Sequence, residues 1–209
     1  MINVPEAKKL IIENCNTVNC YILAGGKSSR MGRDKGLILF KGKPLIQHVI
    51  EQLVPAVNKV VIVANNTAYE NFGLEIIEDL IIDIGPAGGI YSALNHTNAS
   101  HNFIVSCDMP FLKTNAIEFI IQNSFQWQIT LPMHHQKTEP LCGVYAKECL
   151  TKWRELVQQN IIKLQDMITY FKLLKLNVDN NKLFIDPLFQ NINTKYDFDN
   201  ALNNHKNEN

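Results

Sequence analysis

Three short runs that are apolar on both pleat faces, NCYIL (19–23), KVVIVA (59–64) and NFIVSC (102–107), alternate with segments of helical period. Those segments are PLIQHVIEQLV (44–54), opening on Pro44, GGIYSALNHT (88–97), and TNAIEFIIQNS (114–124), with Thr114 as its expected cap. A strand without a polar face has to be covered on both sides, and a helix-length crossover returns the chain to a parallel neighbour. The β-α-β-α-β order therefore predicts an α/β fold with a mainly parallel sheet between helical layers. Past residue 125 the texture changes. WQITLPM (127–133) and PLCGVYA (140–146) read as strands with a polar connection, KECLTKWRELVQQN (147–160) and KLQDMITYFKLL (163–174) as helices, LFQNIN (188–193) as a short strand and DFDNALNN (197–204) as a helix. Some mixed strand directions are expected there.

At 209 residues, 46% of them hydrophobic, the chain can bury one substantial core, so a single domain over 17–204 is expected, with an N-terminal extension at 1–16 and a frayed tail at 205–209. Twenty basic residues balance twenty acids, which removes any global attraction to nucleic acid or to an anionic membrane. The five cysteines show no C-x-x-C spacing and are expected to be reduced and mostly buried. Glu6 and Glu13 interrupt the opening residues, and no apolar run reaches membrane-spanning length, so a cytoplasmic protein is expected.

Against that neutral background, YILAGGKSSRMGRDKG (21–36) concentrates four glycines and four basic residues directly after a strand. The turn after the first strand of an open α/β sheet is a common phosphate cradle. Gly25 and Gly26 let backbone N–H groups approach an anion, and Lys27, Arg30, Arg33 and Lys35 supply charge. Neither familiar nucleotide motif fits. A P-loop needs a glycine where Tyr21 stands, and the glycines are adjacent where a dinucleotide fingerprint would space them. Asp108 ends the run NFIVSC and points a hard carboxylate at the strands' carboxyl edge, where it can hold a cation or cap a helix.

The pattern L-A-G-G-x-S-x-R-M-G-x-D-K-G, present from Leu23 to Gly36, resembles the signature of the MobA family of molybdenum cofactor guanylyltransferases. GKPLIQHV (42–49), IIED (76–79), GPAGGI (85–90), SCDMPFL (106–112) and NINTKYDF (191–198) resemble further family segments in the same order. The resemblance implies the single-domain, Rossmann-like three-layer α/β/α nucleotidyltransferase fold. It also implies GMP transfer from GTP to molybdenum-bound molybdopterin, with Mg2+ as cofactor and with molybdoenzymes or cofactor-delivery proteins as further partners. It places Lys35 on the phosphates, Leu23, Ala24, Gly25 and Gly26 around the nucleotide, and Mg2+ on Asp108; Arg30 is expected on the leaving pyrophosphate.

By the same resemblance Asp79 contacts the nucleotide, where a carboxylate can accept from guanine N1–H and its amino group; capping is the alternative. Ala87 and Gly88 stand where the family has leucine and alanine, which is expected to widen the base pocket. Asn191 and Asn193 alternate on the expected strand and could bond pterin or phosphate. Lys195 replaces the family's proline, and Lys163 stands in for its basic Gly-x-Arg-Arg segment. Related cytidylyltransferases tend to read L-A-A-G, so Gly25 favours GTP. The alternatives are CTP on molybdopterin, a nucleotide on a sugar phosphate, or a non-catalytic nucleotide-binding or cofactor-insertion partner.

Three features carry no function in this reading. His134 and His135 in MHHQK would point to opposite faces on a strand, where they cannot easily share a metal, and a surface loop is expected for them. The Trp153, Leu156, Val157 stripe is core, and Cys107 is packed.

Overall fold

The structure, a computed structural model, describes residues 17–25, 34–192, 196, 197 and 199. The extension 1–16, Gly26, Lys27, Arg30, Arg33, Asn193, Lys195, nearly all of the expected helix 197–204 and the tail 205–209 lie outside the described residues. The elements begin with β1 (Asn19–Leu23), the hairpin β2 (Leu39–Phe40) and β3 (Lys43–Pro44), α1 (Leu45–Leu53), β4 (Lys59–Val63) and β5 (Glu75–Ile77). They continue with α2 (Pro86–His96), β6 (His101–Ser106), α3 (Thr114–Gln122), β7 (Ile129–His134), β8 (Lys137–Thr138) and β9 (Cys142–Ala146). Last come α4 (Cys149–Gln158), α5 (Leu164–Met167) and β10 (Leu173–Asn177).

β1 sits between β4 and β6 and pairs with both in parallel, in the sheet order β10-β7-β9-β6-β1-β4-β5, with β8 paired to β7. β9 runs antiparallel to both β6 and β7, so β7 and its parallel neighbour β10 point the same way as β1. Successive residues of the apolar strands go to opposite layers. Cys20, Ile22, Val60, Ile62, Phe103 and Val105 pack with Ile46 and Val49 of α1 and with Ile117 and Ile120 of α3. Tyr21, Leu23, Val61, Val63 and Ile104 pack with Ile90 and Leu94 of α2 and with Trp153 and Leu156 of α4. The sheet is thus the middle of three layers, as doubly apolar strands require. No helix among the described residues is long and apolar enough to cross a membrane.

Four local expectations are corrected. KLQDMITYFKLL is not one helix: α5 passes into a 3-10 turn (Ile168–Tyr170), and its last residues begin β10, where pairing with β7 outweighs helical propensity. Over its described residues, 188–192, LFQNIN is not a strand, because its backbone closes short turns (Leu188 N–H to Ile185 O, 3.0 Å; Gln190 N–H to Pro187 O, 2.8 Å) while Leu188 and Ile192 are buried. Thr114 is not a cap; Lys113 occupies that position, and the Thr114 hydroxyl donates to Gln52 O (3.0 Å), tying α3 to α1. His135 (φ 47°) and Gln136 (φ 62°) form the two-residue turn between β7 and β8. Left-handed backbone there breaks strand alternation, so the His134 and His135 rings lie 3.9 Å apart.

Candidate active site

Because β1 has β4 on one side and β6 on the other, the chain leaves the carboxyl ends of β1 and β6 in divergent directions and opens a crevice there. The pairing extends just past the strands: Ala24 N–H donates to Val63 O (3.0 Å), Ala64 N–H to Ile77 O (2.9 Å) and Cys107 N–H to Leu23 O (3.2 Å). Gly25, Asp79 and Asp108 therefore come to the same rim from three strand ends.

Asp108 is 5% exposed. Its Oδ1 accepts from the Ser106 hydroxyl at 2.6 Å, and its Oδ2 lies 3.8 Å from Lys35 Nζ. Lys35 begins a 3-10 turn (Lys35–Leu37) whose cap is Asp34. The Asp34 carboxylate accepts from Gly36 N–H (3.3 Å), Asn66 Nδ2 (3.1 Å) and the hydroxyl of buried Tyr69. A Cβ on Gly36 would stand 2.5 Å from the Tyr69 hydroxyl, so glycine is required for this lock. The sequence pattern contains Asp34 but does not single it out; an Asp just before a Lys-Gly turn is a capping signal that could have found it. Tyr69, in the short stretch TAYENF, gives no such signal.

Asp79 follows β5 and faces a cavity of about 340 Å³ lined by Leu23, Gly25, Val63, Gly89 and Ser106 among others. Its backbone N–H donates to Asn65 Oδ1 (3.0 Å), but its own Oδ1 is buried without a hydrogen-bond partner. Burial raises the carboxyl above its usual range. A buried acceptor left unpaired costs free energy unless a ligand supplies the donor. A Cβ on Gly25 would come 3.1 Å from Asp79 Oδ2, so the missing side chain keeps that carboxylate open. A neighbouring cavity of about 380 Å³ joins Ala24, Gly25, Asp34, Asn66 and Asp79. A larger cleft of about 760 Å³, between α3 and residues 182–188, contains neither Gly25 nor Asp79, and Asp108 lines none of the three. We take the smaller pair as the site because the unpaired carboxylate opens there.

The structure brings Leu23, Ala24, Gly25, Lys35, Asp79 and Asp108 to one rim. Asn191 is near it along the chain, since Ile192 N–H donates to Asp108 O at 3.0 Å; the Asn191 Oδ1 is buried and without a partner, although not on a strand. Lys163 is exposed just before α5. Cys107 is buried, and burial together with the neighbouring Asp108 charge pushes its thiol well up, so it is inert packing. Cys20, Cys142 and Cys149 are likewise buried and free, and Trp153 is core, its ring N–H donating to Ala87 O (3.1 Å).

The expected widening of the base pocket is corrected. Ala87 is fully buried in the layer of α2 and α4, and Gly88 abuts Ile81 O, so neither lines the cavity. Gly88 instead lets the 80–84 loop lie against α2, where Ser92 Oγ accepts from Leu80 N–H (2.8 Å). Gly88→Ala is expected to lower stability by about 1–3 kcal/mol through overpacking. A urea midpoint equal to the parent's would show that the loop yields freely.

Asp108 fits a hard divalent cation: it is a buried carboxylate facing a lysine, and Mg2+ sites combine one or two carboxylates with substrate phosphates. Among the described residues, Asp108 belongs to no cluster of three metal-ligating side chains, so phosphate oxygens or water would complete the shell.

Residues 20–172 match the family model described as MobA-like NTP transferase domain. The chain is 36% identical over 169 residues to a Flavobacterium johnsoniae protein named "Probable molybdenum cofactor guanylyltransferase", covering 80% of this chain and 89% of that one. It is 38% identical over 150 residues to the molybdenum cofactor guanylyltransferase of Vibrio parahaemolyticus, covering 68% and 75% of the two chains. The molybdopterin-guanine dinucleotide biosynthesis protein A of Archaeoglobus fulgidus superposes with a TM-score of 0.79 at 26% identity, covering 91% of this chain and all of that one. With Gly25, Lys35 and Asp108 gathered where a parallel sheet divides, and with these matches over most of its length, the chain belongs to the MobA-like NTP transferase family.

Proposed function

We propose that the protein transfers GMP from GTP to molybdenum-bound molybdopterin, forming the guanine dinucleotide cofactor and releasing pyrophosphate. The unpaired Asp79 Oδ1 in a glycine-walled cavity is the observation that carries this reading. Guanine presents N1–H and an amino group side by side, two donors for one carboxylate, whereas adenine and cytosine place an acceptor on that edge. An alanine at Gly25 would crowd the same carboxylate, which agrees with glycine accompanying guanine.

In the transfer, an oxygen of the molybdopterin phosphate bonds to the GTP α-phosphorus as the bond to the β-phosphate oxygen breaks, and pyrophosphate carries away the electron pair. Leu23, Ala24, Gly25 and Gly26 enclose the nucleotide. Lys35, aimed by the Asp34 and Tyr69 lock, holds phosphate oxygens in line, and Arg30 receives the pyrophosphate. Asp108 would hold Mg2+, which when bound supplies charge neutralisation at the triphosphate. Asn191 and Asn193 receive the acceptor, the buried Asn191 Oδ1 accepting a hydrogen bond from a pterin N–H. The product passes to molybdoenzymes or delivery proteins in the cytoplasm.

Pyrophosphate release is to be measured with Mg2+, molybdopterin and each of the four nucleoside triphosphates in turn. Release with GTP is expected. Release with CTP alone would overturn the base assignment, and none with any nucleotide would favour a non-catalytic binding protein. Lys35→Ala is expected to weaken GTP binding and slow turnover together, because its charge serves ground state and transition state alike. Unchanged GTP affinity by calorimetry would remove Lys35 from the phosphates.

A further inference from the structure

The turn between β7 and β8 gathers ligating side chains that nucleotidyl transfer does not use. His134 Nε2 lies 3.2 Å from Asp186 Oδ1, and His135 Nε2 lies 3.8 Å from Asp186 Oδ2. One ligand atom from each of these three residues falls within 4.8 Å of the others. We propose that His134, His135 and Asp186 form a second metal site, separate from Asp108, that takes a divalent transition ion of the zinc class.

Bonds of about 2.0–2.2 Å in a tetrahedral zinc shell set its ligand atoms about 3.3–3.6 Å apart; the histidine nitrogens stand 3.2 and 3.8 Å from the two different oxygens of Asp186, and the three ligand atoms, within 4.8 Å of one another, would draw together onto the ion. Imidazole nitrogens select zinc, nickel or copper over magnesium, so the two sites divide metals by donor type. The surroundings also suit a ligand histidine. The His134 side chain is 13% exposed, and its Nδ1 lies 3.1 Å from Asp179 Oδ1. Asp179 Oδ1 accepts from His135 N–H at 2.8 Å as well, so one carboxylate holds the turn and faces the far nitrogen of His134. The approach is off hydrogen-bond geometry as the turn stands, and a small ring rotation would let this carboxylate fix the tautomer and orientation of a ligating imidazole. The turn accepts two non-glycine residues at positive φ, and this backbone is what sets both rings on one side. An ion pair to Asp186, 80% exposed, would by contrast contribute little.

The site joins the β7–β8 turn to the segment that carries Asp186, which runs through buried Phe184 and Leu188 to Ile192, bonded to Asp108 O. β7 ends at the same sheet edge as β6, so the metal would fasten the chain approaching Asp108 from the side of Asn191. Nothing in this depends on which nucleotide the protein uses.

The test is a calorimetric titration of the nucleotide-free, thiol-reduced protein with Zn2+ in excess Mg2+, repeated with Co2+ followed by visible absorption. The parent is expected to bind one Zn2+ per chain that Mg2+ does not displace, with the visible bands of Co2+ held by nitrogen. His135→Ala and Asp186→Asn, both at exposed positions, are expected to weaken Zn2+ at least about 10-fold while melting like the parent without metal. Asp108→Asn is expected to keep the site intact. Equal Zn2+ affinity in parent and His135→Ala, displacement by Mg2+, or loss of Zn2+ in Asp108→Asn would each overturn the proposal.

Discussion

Asp108→Asn is expected to bind GTP within a few-fold of the parent while guanylyl transfer falls by about 10²-fold or more, the loss typical of removing one preorganised electrostatic group. Asparagine keeps the shape and can still accept from Ser106 Oγ through its own Oδ1, so the buried position should fold as before. What disappears is the charge beside Lys35. The glycine loop and Lys35 still hold the triphosphate, which separates binding from turnover. Raising Mg2+ should restore part of the rate, because the remaining ligands bind the cation more weakly. Parent-like kcat at ordinary Mg2+ would mean that the cation is held elsewhere and that Asp108 only braces the loop.

The second large effect concerns base choice. Asp79→Asn is expected to reduce the preference for GTP over ITP by at least about 10-fold, since an amide offers one acceptor where guanine brings two donors. The pH dependence follows from the burial of Asp79. Its carboxyl is raised in the free protein, and guanine donors favour the ionised form, so binding releases a proton. GTP affinity should therefore fall as pH drops through the raised value, and this dependence should vanish in Asp79→Asn. Stability runs the other way. A folded-state value above the unfolded one contributes stability below the ordinary carboxyl range and loses it as pH rises through the raised value. At neutral pH the free Asp79→Asn protein should thus melt no lower than the parent, because a desolvated charge has been removed. An unchanged GTP-to-ITP ratio, or a lower melting temperature in the variant, would return Asp79 to a capping role.

The sequence alone determined the strands and helices whose burial is uniform. β1, β4 and β6 are buried on both faces, and α1, α2 and α3 on one, so their periods survive in the letters. It also determined that Gly25 and Asp108 meet, because residues that follow parallel strands reach one edge whatever their loops do. Tertiary structure decided what depends on a partner distant along the chain. β10 looks helical until β7 offers it a ladder, and the stretch around Asn191 looks like a strand but finds no neighbour among the described residues. The lock of Asp34 by Tyr69 joins residues 35 positions apart. The space in front of Asp79 exists because Gly25, from another strand end, has no side chain to fill it. His134 and His135 face together only because their turn is left-handed and Asp179, just past the neighbouring strand β10, holds it. Local periodicity is written into each segment, but a hydrogen-bond partner or an unfilled space belongs to two segments at once, and only their packing creates it.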